Sequence, residues 1–104
     1  MTKDIDFVWP LLQQHQGETF YTAKGLPFTY TIRGGELFVD RRSKSITIST
    51  VANALEKIAA LEMDGIPITG PKEIGCYGAS YLYPVLLALG IFTSLVNDQN
   101  VNTI

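Results

Sequence analysis

The sequence predicts an α+β domain: an N-terminal helix, an antiparallel meander of three to four strands, then two helices packed on one sheet face. Three observations carry this expectation. Apolar residues recur with a helical period near both ends of the chain and with a period of two in between. The chain has 104 residues, the size of one domain. It is 46% hydrophobic and 17% charged, a balance that suits a packed core and not disorder. The domain is expected over residues 1–104, with 97–104 a polar tail.

The first helix is expected over Asp4 to Gln14. Asp4 or Asp6 favours its N-terminal end through capping and the helix dipole. Apolar side chains fall at Ile5, Val8, Trp9, Leu11 and Leu12. Pro10 fits only in a first turn or if the helix starts late. Gly17 is the expected stop. The period then changes to two. Glu18 to Thr22 reads as a short strand, and Ala23 to Pro27 carries turn residues. Phe28 to Arg33 alternates, with Phe28, Tyr30 and Ile32 on one face.

Gly34-Gly35 is a two-residue hairpin signal, because both positions tolerate positive φ. Such a turn pairs Arg33 with Glu36, Ile32 with Leu37, Thr31 with Phe38 and Tyr30 with Val39. Apolar residues then share one face, and opposite charges meet across the strands. Arg41 to Ser45 is a polar loop. Ser45 to Ile48 fits a fourth strand or the start of a helix, and Ser49 or Thr50 is the expected N-cap.

From Val51 a helical stripe runs through Leu55, Ile58 and Ala59, with Ala54 and Leu61 beside it. Asp64-Gly65 closes that helix, and Pro67 follows. Ile66 to Gly75 is expected to be irregular. A last helix begins near Ser80, with Pro84 acceptable in its first turn, and ends at Gly90. It is apolar nearly all round, which marks a central core helix or a dimer interface. Ile91 to Val96 fits a short strand.

Charge and cysteine usage narrow the function classes. The net charge is −2, unlike a dedicated nucleic-acid binder. A single cysteine, Cys76, excludes an intrachain disulfide and a four-cysteine zinc site. The N-terminal segment lacks the apolar run of a secretory signal, so a cytoplasmic location is expected. The uncharged stretch Ile74 to Asn97 is interrupted by Gly75, Gly78, Pro84 and Gly90, and no membrane association is expected. No cofactor and no metal are expected.

Cys76 lies just before a helix, where a thiol can be activated. A nucleophile also needs a base, and His15 is the only histidine. A small buried hydrophobe is the simpler reading, and no catalytic residue is assigned. The carboxylates are scattered, and no phosphate-loop pattern of glycines is present. Arg41, Arg42 and Lys44, with Arg33, form the one basic cluster. Phe20, Tyr21, Phe28, Tyr30 and Phe38 lie in the neighbouring strands, where aromatics can stack on single-stranded bases. Tyr77, Tyr81 and Tyr83, with Leu86 and Leu89 of the last helix, form a candidate interface rich in tyrosine.

The combination Thr19-Phe-Tyr-Thr22, Gly25-Leu-Pro-Phe-Thr-Tyr30, Ser45-Ile46, Gly70-Pro71 and Gly78-Ala-Ser-Tyr81 resembles a small uncharacterised prokaryotic module, sometimes appended to nuclease or phage-related proteins. That resemblance implies a binding role near nucleic-acid metabolism and assigns chemistry to no residue. The helix, three-strand, helix order is also similar to a double-stranded RNA-binding domain. Here, however, Ser49 to Asn53 lacks the basic start of that domain's second helix.

Three functions are therefore in view. The first is a non-enzymatic binding or interaction module with a protein partner, most simply a second copy as a homodimer. The second is a nucleic-acid accessory domain using the basic loop. The third is a small cysteine-dependent enzyme.

Overall fold

A computed structural model describes residues 4–41 and 45–92. Arg42 and Lys44, most of the strand expected at Ile91 to Val96, and the tail 97–104 lie outside the described residues. The elements are α1 (Ile5–Gln14), β1 (Phe20–Tyr21), β2 (Pro27–Phe28), β3 (Tyr30–Arg33), β4 (Glu36–Val39), β5 (Ile46–Thr47), α2 (Ile48–Met63), α3 (Pro71–Ile74) and α4 (Ala79–Ala88). This is the expected α+β order, with the strands divided between two small antiparallel sheets. One is β1-β2 and the other is β3-β4-β5.

α1 begins as expected, with Asp4 Oδ1 accepting the Asp6 N–H at 3.1 Å. Pro10 is the sixth residue of the helix, beyond the first turn. Its missing N–H leaves the Asp6 carbonyl without a helical donor. Asp6 and Pro10 are both exposed, so water can take the donor's place. Pro84 is likewise the sixth residue of α4, and the carbonyl it frees belongs to exposed Ser80.

The expected strand Phe28 to Arg33 is one extended run that changes partner partway. Pro27 and Phe28 pair with Tyr21 and Phe20, and Tyr30 to Arg33 pair with β4. The change falls at Thr29. Its N–H donates to Asp40 Oδ1 at 3.2 Å, and its carbonyl accepts the Asp40 N–H at 3.0 Å. Pro27, expected in a turn, is a strand residue. Alternation survives the change, so Phe28 and Tyr30 both reach the core.

The β3–β4 register is the one the turn predicted: Tyr30 with Val39, Thr31 with Phe38, Ile32 with Leu37 and Arg33 with Glu36. Only Gly34 has positive φ, at 60°, so the turn follows the II′ pattern with one left-handed glycine, not two. β5 pairs with β4 and runs straight into α2. The helix therefore starts earlier than expected. Its N-cap is Thr47, whose Oγ1 accepts the Thr50 N–H at 3.2 Å, and neither Ser49 nor Thr50 caps it. The stripe Val51, Ala54, Leu55 and Ile58 is buried. Within the region expected to be irregular, Pro71–Ile74 form a single turn of helix. The Glu73 carboxylate accepts the Gly70 N–H at its start. α4 ends in a Schellman arrangement around Gly90: its N–H reaches the Leu87 carbonyl, and the Ile91 N–H reaches that of Leu86.

Two contacts fix the layers. The Tyr30 hydroxyl donates to the Leu12 carbonyl at 2.7 Å, in the core, joining β3 to the end of α1. The Gly17 N–H and the Gln16 side chain add bonds to the Tyr30 carbonyl and the Ile32 N–H. On the other side, Gly78 lies against the buried Ile46 side chain with a φ of 75°.

Three outcomes follow. Gly78→Ala places a Cβ 2.7 Å from Ile46 Cγ1 and imposes a left-handed alanine. It is expected to cost about 2–4 kcal/mol in urea unfolding. Gly90→Ala, with a φ of 77° and open space around it, costs only about 1–2 kcal/mol. Tyr30→Phe is expected to cost about 1–2 kcal/mol at neutral pH by removing the buried bond to the Leu12 carbonyl, which keeps only the His15 N–H at 3.3 Å. Burial, helped by the Glu18 charge, raises the Tyr30 phenol above its ordinary value of 10.0. The folded chain keeps a proton that the unfolded chain releases, so stability falls as pH rises through about 10. Tyr30→Phe flattens that part of the stability–pH curve.

Candidate functional site

The β1–β2 hairpin stands beside α4, and a groove of about 430 Å³ separates them. One wall is Thr19, Phe20, Tyr21 and Ala23; the other is Tyr83, Pro84, Leu87 and Ala88. No lining residue is charged. Successive residues of a strand point to opposite faces. Here both Phe20 and Tyr21 line one groove, so it runs along the strand's edge and not over one face.

The hydrogen-bond parity of β1 identifies that edge. Thr22 and Leu26 face each other, and the Thr22 N–H donates to the Leu26 carbonyl at 2.9 Å. The next pair, Tyr21 with Pro27, is therefore a non-hydrogen-bonded pair. Proline has no N–H and fits only there. The N–H and carbonyl of Tyr21 consequently point away from β2. Among the described residues no backbone bond meets them. Tyr21 is 59% exposed and Leu26 47%. A second hollow, of about 310 Å³, continues past Ala23 to Lys24, Leu26, Pro71 and Tyr81.

The five tyrosine and leucine residues expected at an interface do not share a surface. Tyr77 is exposed, and Tyr81 and Leu89 are half-buried. Tyr81 meets Phe28 edge-on, with centroids 5.1 Å apart. Tyr83 packs on Phe92 in the core, and Leu86 is fully buried. A helix apolar on all sides gives no periodic signal of which side faces inward. The outward side of α4 carries Tyr81, Pro84, Leu87 and Ala88.

Nor are Arg33 and Arg41, the two described members of the basic cluster, brought together. Arg33 lies at the turn end of β3, its guanidinium 4.3 Å from the centre of the Phe38 ring. It stacks on that neighbour and makes no ion pair with Glu36, which instead accepts the Ser45 hydroxyl. Arg41 follows the opposite end of β4, roughly 16 Å away along the strand. Its Nε donates to the Pro27 carbonyl at 2.7 Å. Of the strand aromatics, Phe20, Phe28 and Tyr30 are buried in a mutual cluster, and Phe38 is half-buried. Tyr21 alone of the five is exposed.

Cys76 is half-buried beside the core, and burial pushes its thiol up from the ordinary value. An activated thiol needs the opposite shift. His15 directs Nδ1 to Glu18 Oε2 at 2.9 Å. Among the described residues no three metal-ligating side chains converge, and no helix is long and apolar enough to cross a membrane. The groove was not foreseen in the sequence. Its signal was Pro27: once that residue is placed in a strand, its missing N–H dictates which way Tyr21 bonds.

Cys76 is expected to react with a thiol reagent more slowly than free cysteine at pH 7, and faster as pH rises. Cys76→Ala is expected to leave the unfolding midpoint within the range of a small core change, about 1 kcal/mol. A fast, pH-independent reaction at neutral pH would show an activated thiol instead. Comparison with protein families, curated proteins and solved structures finds no match to this chain.

Proposed function

We propose that this chain is a non-enzymatic protein-interaction module that associates with itself through the surface shared by β1 and α4. The observation that carries this reading is an uncharged groove bordered by an unpaired strand edge. Unpaired edges invite another strand, and apolar grooves gain by being covered. The low charge of the whole chain supports it. So does the surface itself: Tyr21, Pro84 and Leu87 line the groove without an intervening charge. A raised thiol at Cys76 and a histidine held by Glu18 argue against nucleophilic chemistry. The dispersal of Arg33 and Arg41 into separate intrachain contacts weighs against a shared phosphate site. A lone free cysteine suits a reducing compartment such as the cytoplasm.

Light scattering coupled to size exclusion, across a concentration series, tests the reading. The wild-type chain is expected to dimerise. Ala88→Lys is the informative variant, because Ala88 is exposed and ends α4. A lysine there suits the helix dipole and spares the fold. It also carries a charge into the groove, and is expected to weaken the dimer at least about tenfold. A chain that stays monomeric at millimolar concentration would sink the reading.

A further inference from the structure

We infer that two copies exchange the segment 93–98, each seating it in the other's groove between β1 and α4, along the free edge at Tyr21. The inference rests on the self-association reading above and names what covers each groove.

The point where the chain leaves the core is the first support. The turn at Gly90 reverses the chain, and Ile91 and Phe92 are buried. The Phe92 ring lies 5.4 Å from that of Tyr83, and Tyr83 lines the groove. Residue 93 therefore starts beside the surface proposed for association.

Composition is the second support. The segment reads Thr-Ser-Leu-Val-Asn-Asp. Ile91 and Phe92 are spent on the core, so Leu95 and Val96 are the apolar pair left to cover a groove whose lining carries no charge. The edge demands little register. The N–H and carbonyl of Tyr21 both face away from β2, and one extended segment can accept from the first and donate to the second.

Charge orders the segment along the surface. Past Ala23 the second hollow begins, and among its described lining residues Lys24, in the turn from Thr22 to Gly25, is the only charged one. Along the segment, Asp98 follows the apolar pair. A segment running in the sense of β1 brings Leu95 and Val96 to the apolar groove and Asp98 toward the Lys24 ammonium.

Distance favours the other copy. Packed layers stand about 10 Å apart, and an extended chain covers that in about three residues. Thr93 and Ser94, both polar, make the crossing, and Leu95 is the first residue to arrive. Folded back on its own copy, the segment would lay that polar pair against the wall at Tyr83. Exchange about a two-fold axis makes the two contacts identical and closes the dimer.

Deleting residues 93–104 is expected to weaken the dimer at least about a hundredfold in a light-scattering concentration series, because Leu95 and Val96 are lost from both contacts. Lys24→Glu is expected to weaken it about threefold to tenfold, and adding Asp98→Lys to recover most of that loss. The decisive experiment mixes the deleted chain with Ala88→Lys. The first keeps an open groove and the second an intact segment, so native mass spectrometry is expected to show a heterodimer at least about tenfold tighter than either homodimer. A deleted chain that dimerises like the wild type overturns the exchange while self-association stands. So does one that dimerises more tightly, because the segment then covers the groove of its own copy, and so does a mixture that forms no heterodimer. A monomeric wild type overturns both.

Discussion

The extended run from Pro27 to Arg33 divides its backbone hydrogen bonds between two partners, and the division begins at a residue with no N–H to give. Pro27 tolerates only a non-hydrogen-bonded position in a ladder. Opposite it stands Tyr21, whose own groups must then bond elsewhere. Two residues on, at Thr29, the run turns to Asp40 and the β3–β4 ladder takes over. One proline thus determines which edge of β1 is unpaired, and Tyr30 falls in phase to bury its ring and reach Leu12.

The rest of the fold holds that division in place. α1 ends where the Tyr30 hydroxyl needs a carbonyl. β5 passes into α2 without a loop, which brings Ile46 under Gly78 and sets where α4 starts. α4 then runs beside β1 and leaves a groove between them. A two-stranded sheet is marginal by itself. Here it leans on α4 through Phe28, whose ring meets that of Tyr81 edge-on. The surface proposed for association is therefore made of parts that are only half-covered within one chain.

Much of this was legible in the sequence where local chemistry and alternation agree. The Gly34-Gly35 turn and the apolar faces of Tyr30, Ile32, Leu37 and Val39 specify one register, and that register is present. The stripe of α2 was equally plain. What escaped was decided by longer-range geometry. Pro10 and Pro84 sit inside helices because the carbonyls they orphan belong to exposed residues, which sequence does not reveal. Thr47 caps α2 because β5 delivers it there. The split at Thr29 depends on Asp40, eleven residues away. The site was less legible still. Tyr83 and Leu86 look like interface residues in an all-apolar helix, yet packing turns them inward. Arg33 and Arg41 are near in number but stand at opposite ends of a ladder.

Amide hydrogen exchange at Tyr21, followed across a concentration series, tests the central claim most directly. Its N–H points away from β2 toward the groove, whereas the neighbouring Thr22 N–H is bonded to Leu26. Association through the surface shared by β1 and α4 predicts that Tyr21 exchanges freely in dilute chain and slows in step with the dimer fraction, while Thr22 stays constant. A Tyr21 amide that exchanges freely while dimer accumulates would contradict the account.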